Sequence, residues 1–192
     1  MNTPGASTVH HPAETELFAD TLTCDVALPA SFDAGNTPIH PGTAEMLLRS
    51  VALVEDSRST DEDGERGDSS LQVQRLEARM DLVLVLLGRL LRQSGDALPL
   101  RPLRWSRRGL RMELGQRTGC APGSLGIVRL QPVDWLPDHI ELPVQVLAEA
   151  ASGNGGHYLW LRLNAPGNAL EMALERHLFR VHRRQIASHR RA

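Results

Sequence analysis

The sequence predicts an α+β protein with a mainly β core, in which a long heptad-patterned helix leads into a small antiparallel β-barrel or sandwich. Three patterns predict it: apolar residues spaced three and four apart near 71–93, short alternating segments between 109 and 163, and a helical pattern over about 168–188. Alternation of period two is typical of strands with one buried face, and a period near 3.6 is typical of helices. Closely spaced strands followed by one helix favour a small barrel or sandwich.

The chain of 192 residues divides into five predicted segments. Residues 1–13 are polar and predict a disordered tail. Residues 14–57 predict an N-terminal appendage with a strand and a short helix, and residues 58–70 an acidic linker. The heptad helix covers residues 71–95, and the β-rich domain with its C-terminal helix covers residues 98–189. The pattern leaves open whether residues 14–57 join the barrel or stand apart from it.

The expected elements are short. Extended segments are predicted within residues 17–28, 109–114, 125–130, 140–148 and 158–163, and helices over about 44–57 and 168–188, while residues 98–103 form a short apolar stretch broken by Pro102.

The helix near residues 71–93 has the strongest local pattern. Its apolar positions follow one another at intervals of three and four residues, the a/d seam of supercoiling helices. The seam consists of Val73, Leu76, Met80, Val83, Leu87 and Leu90. Further leucines and a valine widen the apolar surface, which fits either a higher-order bundle or a helix that also packs on its own domain. We expect this seam to be an oligomer interface, with the orientation of its helices left open.

Charge is distributed unevenly along the chain. Residues 1–70 carry 13 acids and 3 arginines, whereas residues 71–192 carry 10 acids and 18 arginines, and the chain has no lysine. Every cation is therefore a planar fork of donors that suits phosphate or carboxylate. A basic domain beside an acidic segment predicts a polyanionic ligand or an intramolecular attraction.

A short motif opens the β-rich domain. It reads Arg104-Trp105-Ser106-Arg107-Arg108-Gly109, and its Ser-x-x-Gly part resembles the second signature of PilZ domains, (Asp/Asn)-x-Ser-x-x-Gly. The order that follows is also similar: a strand, a loop with Pro122-Gly123, more strands, and a terminal helix with the run 178–185. The resemblance covers about residues 98–186 and implies a six-stranded β-barrel.

The resemblance also implies a ligand. PilZ domains bind the bacterial second messenger cyclic di-GMP through an Arg-x-x-x-Arg motif and the signature turn. Carried onto this chain, the candidate ligand-binding residues are Arg104, Ser106, Arg107, Arg108 and Gly109. Arginine forks pair with phosphate oxygens and stack on flat rings, and a glycine lets the backbone approach a ligand.

Two departures from the family pattern weaken this implied site. Arg104 stands where the signature has an acid or amide, and the upstream pair Arg75-x-x-x-Arg79 lies inside the heptad helix. We therefore expect a degraded nucleotide site and no cofactor, so cyclic di-GMP binding is doubtful.

The resemblance suggests a mode of action as well. An atypical family member from plant-pathogenic bacteria is a tetramer built on long heptad-repeat helices, and the helix at 71–93 is similar to that arrangement. The resulting expectation is a bacterial regulatory adaptor that forms a homotetramer and contacts a protein partner, whose identity the sequence leaves open. Two alternatives stay open: a functional cyclic di-GMP receptor, and a nucleic-acid-binding regulator that uses the basic C-terminal half. The latter is disfavoured because few aromatics accompany the arginines.

The sequence lacks the motifs of other functional classes of protein. There is no phosphate loop, Gly-x-Ser-x-Gly elbow or zinc signature, so an enzyme is not expected. His177, His182 and His189 are spaced five and seven apart and do not form one metal-binding face, so we expect no metal. Cys24 and Cys120 are expected to be reduced structural thiols. No apolar run approaches the length of a membrane span and no signal peptide is visible, so we expect a cytoplasmic protein without membrane insertion.

Overall fold

The structure, a computed structural model, describes residues 11–35, 41–60, 98–136 and 138–189, together with the single positions Val73, Leu76, Met80, Val83 and Leu87. These ranges contain helices and strands that follow one another along the chain. In order they are α1 (Pro12–Phe18), β1 (Thr23–Ala34), α2 (Pro41–Thr60), β2 (Leu100–Ser106), β3 (Gly109–Leu114), β4 (Leu125–Leu130), β5 (Ile140–Ala151), β6 (His157–Leu163) and α3 (Asn168–His189).

The six strands form a closed antiparallel barrel in the order β1-β2-β3-β6-β5-β4. Strand β1 closes it, because its first part pairs with β2 (Thr23 opposite Ser106) and its second part pairs with β4 (Ala34 opposite Gly126). A closed barrel leaves no strand edge unpaired, which removes the usual site of edge-to-edge aggregation. The predicted six-stranded antiparallel barrel with a C-terminal helix is confirmed.

Strand β1 answers the question that the sequence left open. The strand expected within residues 17–28 runs from Thr23 to Ala34 and is a full member of the barrel wall. The segment 14–57 is therefore no appendage: it supplies one strand and contributes α2, and the barrel begins before residue 98. The predicted disordered tail also ends early, since α1 begins at Pro12.

The barrel interior follows the alternation of the strands. Leu110, Met112 and Leu114 of β3 face inward, as do Leu159, Leu161 and Leu163 of β6. Trp105 is the one large aromatic side chain among the fully buried residues of this cluster, so aliphatic side chains fill most of the space. Burial of such side chains contributes roughly 1.5–3 kcal/mol each, which makes this interior the main source of stability.

Helices α2 and α3 cover the barrel and share its interior cluster. Leu48 of α2 and Leu170, Leu174 and Leu178 of α3 are all buried in it. Glu55 of α2 reaches α3, where its carboxylate lies 2.7 Å from Arg184 Nη1 and 3.1 Å from Arg180 Nε. The two helices are therefore held by both apolar burial and an ion-pair cluster.

Cys24 is also tied to α3. Its thiol donates a hydrogen bond to the carbonyl of Leu178 at 3.4 Å. Burial, and then the negative charge of Asp25, raise the pKa of this thiol to about 11. Cys24 is thus a neutral core residue, and both cysteines are free thiols.

Helix α1 lies outside the barrel wall. Ala13, Leu17 and Phe18 pack with Ala148 and Trp160 in a second, smaller cluster. The pairing of β5 with β6 shifts register between Val146 and Ala148, which interrupts the alternation of inward and outward side chains. Val146 pairs with the inward-facing Leu161, whereas Ala148 pairs with Trp160. This irregularity places the small Ala148 side chain beneath α1 and lets the helix approach the wall.

Candidate ligand-binding face and assembly surface

The signature turn joins β2 to β3. Ser106 and Gly109 face each other across the two-residue turn, and the N–H of Arg108 donates to the Ser106 hydroxyl at 3.1 Å. A Cβ on Gly109 would lie 2.1 Å from the carbonyl oxygen of Leu161 and 3.0 Å from Leu17 Cδ2. Glycine is therefore required because β6 and α1 both press on this position.

The same serine binds α1. Ser106 is fully buried, and its hydroxyl donates to the carbonyl of Leu17 at 2.7 Å. Arg108 Nη1 donates to two further carbonyls, those of Glu16 at 3.2 Å and Ala19 at 3.0 Å. These three carbonyls belong to the C-terminal end of α1, which has no helical partner for them. The signature residues thus cap a helix of the same chain.

A row of side chains crosses the outer wall beside the turn. Arg104 of β2 pairs with Arg111 of β3, which pairs with Trp160 of β6. We call the outer surface that carries Arg104, Arg108, Arg111 and Arg162 the arginine face.

Glu14 of α1 lies over the centre of this row. Its carboxylate accepts hydrogen bonds from Arg111 Nη1 and from Trp160 Nε1, the latter at 3.0 Å. Arg104 Nη1 lies 3.6 Å from the second carboxylate oxygen. The Glu14 side chain is only 14% exposed, so the carboxylate is largely withdrawn from water, where charge-assisted hydrogen bonds are strongest.

Flat groups complete the contact between α1 and the arginine face. The guanidinium of Arg104 lies 5.1 Å from the ring centre of Phe18, and that of Arg111 lies 4.4 Å from the ring centre of Tyr158. His11, which precedes α1, stacks on Trp160 with 4.8 Å between ring centres. Arg162 pairs with Glu16 at 2.9 Å. Helix α1 therefore meets the face with carboxylates, an aromatic ring and backbone carbonyls.

The local sequence explains why α1 forms here. Pro12 occupies the first turn, and His11 Nδ1 accepts the N–H of Ala13 at 3.2 Å as an N-cap. The negative charge of Glu14 in the first turn is stabilised by the positive end of the helix dipole. The positive charge of Arg108 at the other end of the helix is stabilised by the negative end. The helix ends at Phe18, and Asp20 with φ of 52° turns the chain toward β1.

The structure brings together four of the five predicted ligand-binding residues. Arg104, Ser106, Arg108 and Gly109 all contact α1. Arg107 is half-buried and makes no hydrogen bond or ion pair with the described residues. The role of these five residues in ligand binding stays a prediction.

Sequence reasoning missed other members of this site. The sequence predicted strands β3 and β6 from their inward-facing residues alone. The side chains of Arg111, Trp160 and Arg162 point outward on the same strands. Glu14 and Phe18 lie in a seven-residue helix that shows too little periodicity to be recognised. The available signal was the helix start at Pro12 with Glu14 in its first turn.

Helix α3 contains a buried histidine. His177 of α3 is fully buried, with its ring 5.6 Å from that of Trp105. Burial, and then the charges of Arg180 and Arg184, lower the pKa of His177 to about 4. A contact with the carbonyl of Pro132 opposes this shift, yet neither imidazole nitrogen forms a well-formed hydrogen bond with a described residue. His177 is therefore a neutral residue of the packed interior.

Neither metal sites nor membrane spans occur in the part of the chain that the structure describes. Among those residues, no three histidine, cysteine, aspartate or glutamate side chains could hold a metal ion together. Within the same ranges, no helix is long and apolar enough to cross a membrane.

The heptad segment presents a second surface. Five of its six predicted seam positions are described, namely Val73, Leu76, Met80, Val83 and Leu87; all are helical, and 47–59% of each is exposed. Leu90 and the arginine pair at 75 and 79 lie outside the described residues. In the single chain, these large apolar side chains at seam spacing are exposed to water. Exposed apolar patches usually indicate an interaction surface.

Comparison with known proteins decides the family. The family model of the atypical PilZ domain, cyclic di-GMP receptor, matches residues 48–191. The chain belongs to the atypical PilZ domain family. The resemblance seen in residues 98–186 is thereby confirmed and extends further toward the N-terminus.

One solved structure supports this assignment. A PilZ domain protein from Xanthomonas campestris, described as a pathogenic protein and a tetramer self-assembled through an unusual helical bundle, is 51% identical over 91% of this chain and 95% of its own, with a TM-score of 0.77. The Bacillus subtilis inhibitor of motility also matches, with 16% identity over 46% of this chain and 43% of its own, and a TM-score of 0.37. No curated protein matches significantly.

Membership of the PilZ family gives the arginine face its context. In this chain the position of the signature acid or amide is taken by Arg104, whose guanidinium faces Glu14 and Phe18. The Ser-x-x-Gly part of the turn is present, and its serine, second arginine and glycine all lie against α1.

Proposed function

We propose that this protein is a regulatory adaptor of cyclic di-GMP-type bacterial signalling, with a degenerate nucleotide site, that acts through self-assembly and protein–protein contacts. The family links the chain to cyclic di-GMP signalling. PilZ domains are receptor and adaptor domains. The protein is therefore proposed to be a binding module that lies in the cytoplasm and has no cofactor. Its protein partner is unidentified.

One observation carries the assembly part of the proposal. The five described seam positions are about half exposed, although they are the most regularly spaced apolar residues of the chain. A seam of this kind is stabilised when it is covered by further copies of itself. The 51% identical Xanthomonas protein is a tetramer that assembles through a helical bundle, which supports a homotetramer here.

The degenerate site is supported by how its residues are engaged. Arg104 replaces the acid or amide of the signature and lies against Glu14, and the Ser106 hydroxyl donates to Leu17. A nucleotide would have to compete with these intramolecular partners. Binding that first requires an opening step is weakened by the population of the open state.

A charge substitution in the seam tests the proposed assembly. The double variant Val83→Lys with Leu87→Lys places two cations from each chain in the seam, where like charges would repel in every copy. We expect light scattering to give a mass well below that of the wild-type tetramer, while circular dichroism shows an intact barrel.

The matched control is Met46→Lys with Leu100→Lys. These side chains are also large, apolar and strongly exposed, at 70% and 68%, but lie outside the seam. The control should keep the wild-type mass. If the seam variant also keeps it, residues 71–95 are not the assembly surface.

A second candidate is a functional cyclic di-GMP receptor. The description of the family and the four guanidinium groups of the arginine face favour it. It differs from the first proposal in one measurable respect, the affinity of the wild-type protein for the dinucleotide.

A further inference from the structure

Helix α1 is held to the barrel by two sets of contacts, those with the arginine face and those of Ala13, Leu17 and Phe18 in the smaller apolar cluster. It has seven residues, and isolated helices shorter than roughly 12–15 residues are marginal in water, so its fold depends on these contacts. The residues that follow it, 19–22, lead directly into β1. Because α1 contributes no strand to the barrel and no side chain to the main interior cluster, the barrel can keep its structure when α1 leaves.

The surface beneath α1 is strongly cationic. Arg104, Arg108, Arg111 and Arg162 all reach α1, which supplies the carboxylates of Glu14 and Glu16 in return. Asp25 is opposite Arg104 in the register of β1 and β2, but no ion pair joins these two described side chains. When α1 leaves, the four guanidinium groups lose both carboxylates, and the indole of Trp160 and the ring of Tyr158 become accessible beside them.

The contacts of α1 have the chemistry of a ligand. The Glu14 carboxylate accepts from a guanidinium and an indole N–H, as a phosphate oxygen would. The Phe18 ring lies against the guanidinium of Arg104, as a nucleobase would stack on arginine. The helix therefore offers the arginine face two carboxylates and one flat group, all within seven residues.

The fit is incomplete at Arg104. Its Nη1 lies 3.6 Å from Glu14, too far for a hydrogen bond, and its Nε is buried without a hydrogen-bond partner among the described residues. A buried donor without an acceptor weakens the closed state. An external anion with more acceptor oxygens than one carboxylate offers Arg104 more acceptors than Glu14 does.

We infer that α1 is a removable lid, an internal competitor that keeps the arginine face closed to anionic ligands with a flat ring. This inference rests on the proposed function and deepens it. It gives the weak nucleotide site two causes: α1 occupies the arginine face, and Arg104 replaces the acid or amide of the signature. Release of α1 opens the face, and any ligand that binds there excludes α1.

Two isosteric substitutions in α1 test the lid. Glu14→Gln removes the carboxylate that bridges Arg104, Arg111 and Trp160, whereas Glu16→Gln removes the same charge from an exposed pair with Arg162 alone. The probe is cyclic di-GMP, titrated calorimetrically into the full-length variants. We expect Glu14→Gln to bind at least about tenfold more tightly than the wild type and Glu16→Gln to change affinity by less than about threefold, because apparent affinity follows the open fraction.

Hydrogen exchange of the α1 amides provides the independent readout. The amides of Leu17 and Phe18 should exchange faster in Glu14→Gln than in wild type, while amides of the barrel strands keep their protection. Adding Arg104→Ala to Glu14→Gln should remove the gain in affinity, since the ligand would then lack its guanidinium.

The outcomes separate this inference from the proposed function. If α1 exchanges faster in Glu14→Gln yet no variant binds the dinucleotide, the lid covers no anion site and the inference fails, while the adaptor proposal stands. If the wild type binds tightly and Glu14→Gln more tightly still, the degenerate site is wrong and the lid stands. Equal affinity in wild type, Glu14→Gln and Glu16→Gln overturns the lid.

Discussion

Helices α1 and α3 both pack on the barrel, but they bury their apolar side chains in different places. Helix α3 has 22 residues and places Leu170, Leu174 and Leu178 in the main interior cluster. Helix α1 has seven residues and is anchored outside the barrel wall by a small apolar cluster and by the polar contacts of Glu14 and its own carbonyls. Burial in the main interior cluster makes α3 part of the cooperative fold, whereas a small outer cluster and polar contacts allow α1 to open locally.

The largest expected difference compares two fully buried leucines, one on each helix. Leu174→Ala removes a side chain from the interior and should lower the free energy of unfolding by about 3 kcal/mol. Leu17→Ala removes an equally buried side chain, but its cost to global unfolding is limited by the free energy that docks α1, which we expect to be about 2 kcal/mol. Chemical denaturation of both variants measures the difference, and equal losses would show that α1 unfolds together with the barrel.

The buried histidine on α3 should make its side of the molecule sensitive to acid. The pKa of His177 is about 4 in the folded protein and 6.5 in an unfolded chain, so between these values only the unfolded chain takes up the proton. Stability should therefore fall by about 3 kcal/mol as the pH drops from 6.5 to 4, with no further loss from this group below that range.

The comparison variant for the acid effect is His177→Leu. It removes the titration while Arg180 and Arg184 on the same helix, Glu55 on α2 and Trp105 on β2 keep their places around the site. Denaturation at several pH values should show a shallower pH dependence for the variant between pH 4 and 6.5. Parallel curves for the two proteins would mean that His177 does not set the acid limit.

The smallest expected effect concerns the signature turn. Arg108→Ala removes the donors to the carbonyls of Glu16 and Ala19, whereas Arg107→Ala changes the neighbouring arginine, which has no such contacts among the described residues. Arg108→Ala should cost under about 1 kcal/mol of global stability but increase exchange of the α1 amides severalfold. Faster exchange in the Arg107→Ala variant as well would remove the role assigned to Arg108.

The same contrast explains which parts of the fold were predictable. Strand β3 and helix α3 carry regular apolar patterns, because one face of β3 is buried over its full length and one face of α3 is buried as far as Leu178, and both were predicted close to their observed bounds. Strand β1 was misplaced by several residues because it changes partners from β2 to β4, so its burial pattern is irregular. The irregularity after Val146 could not be predicted, since it depends on the pairing of β5 with β6.

The site was harder to predict than the fold. The Ser106 and Gly109 motif identified the right turn, but the partner of that turn lies about ninety residues earlier in the chain. Arg111 and Trp160 resemble ordinary outward residues, and only the barrel register aligns them with Arg104. A polar contact between distant segments leaves no periodic trace in a sequence, whereas an apolar face does.

Calorimetric titration of cyclic di-GMP into the wild-type protein, with its mass established by light scattering, tests the degenerate nucleotide site most directly. We predict a tetramer that gives no binding heat up to high micromolar ligand, because Arg104 departs from the signature and α1 occupies the arginine face. Micromolar or tighter binding by the wild-type protein would contradict the degenerate site and identify the protein as a messenger receptor.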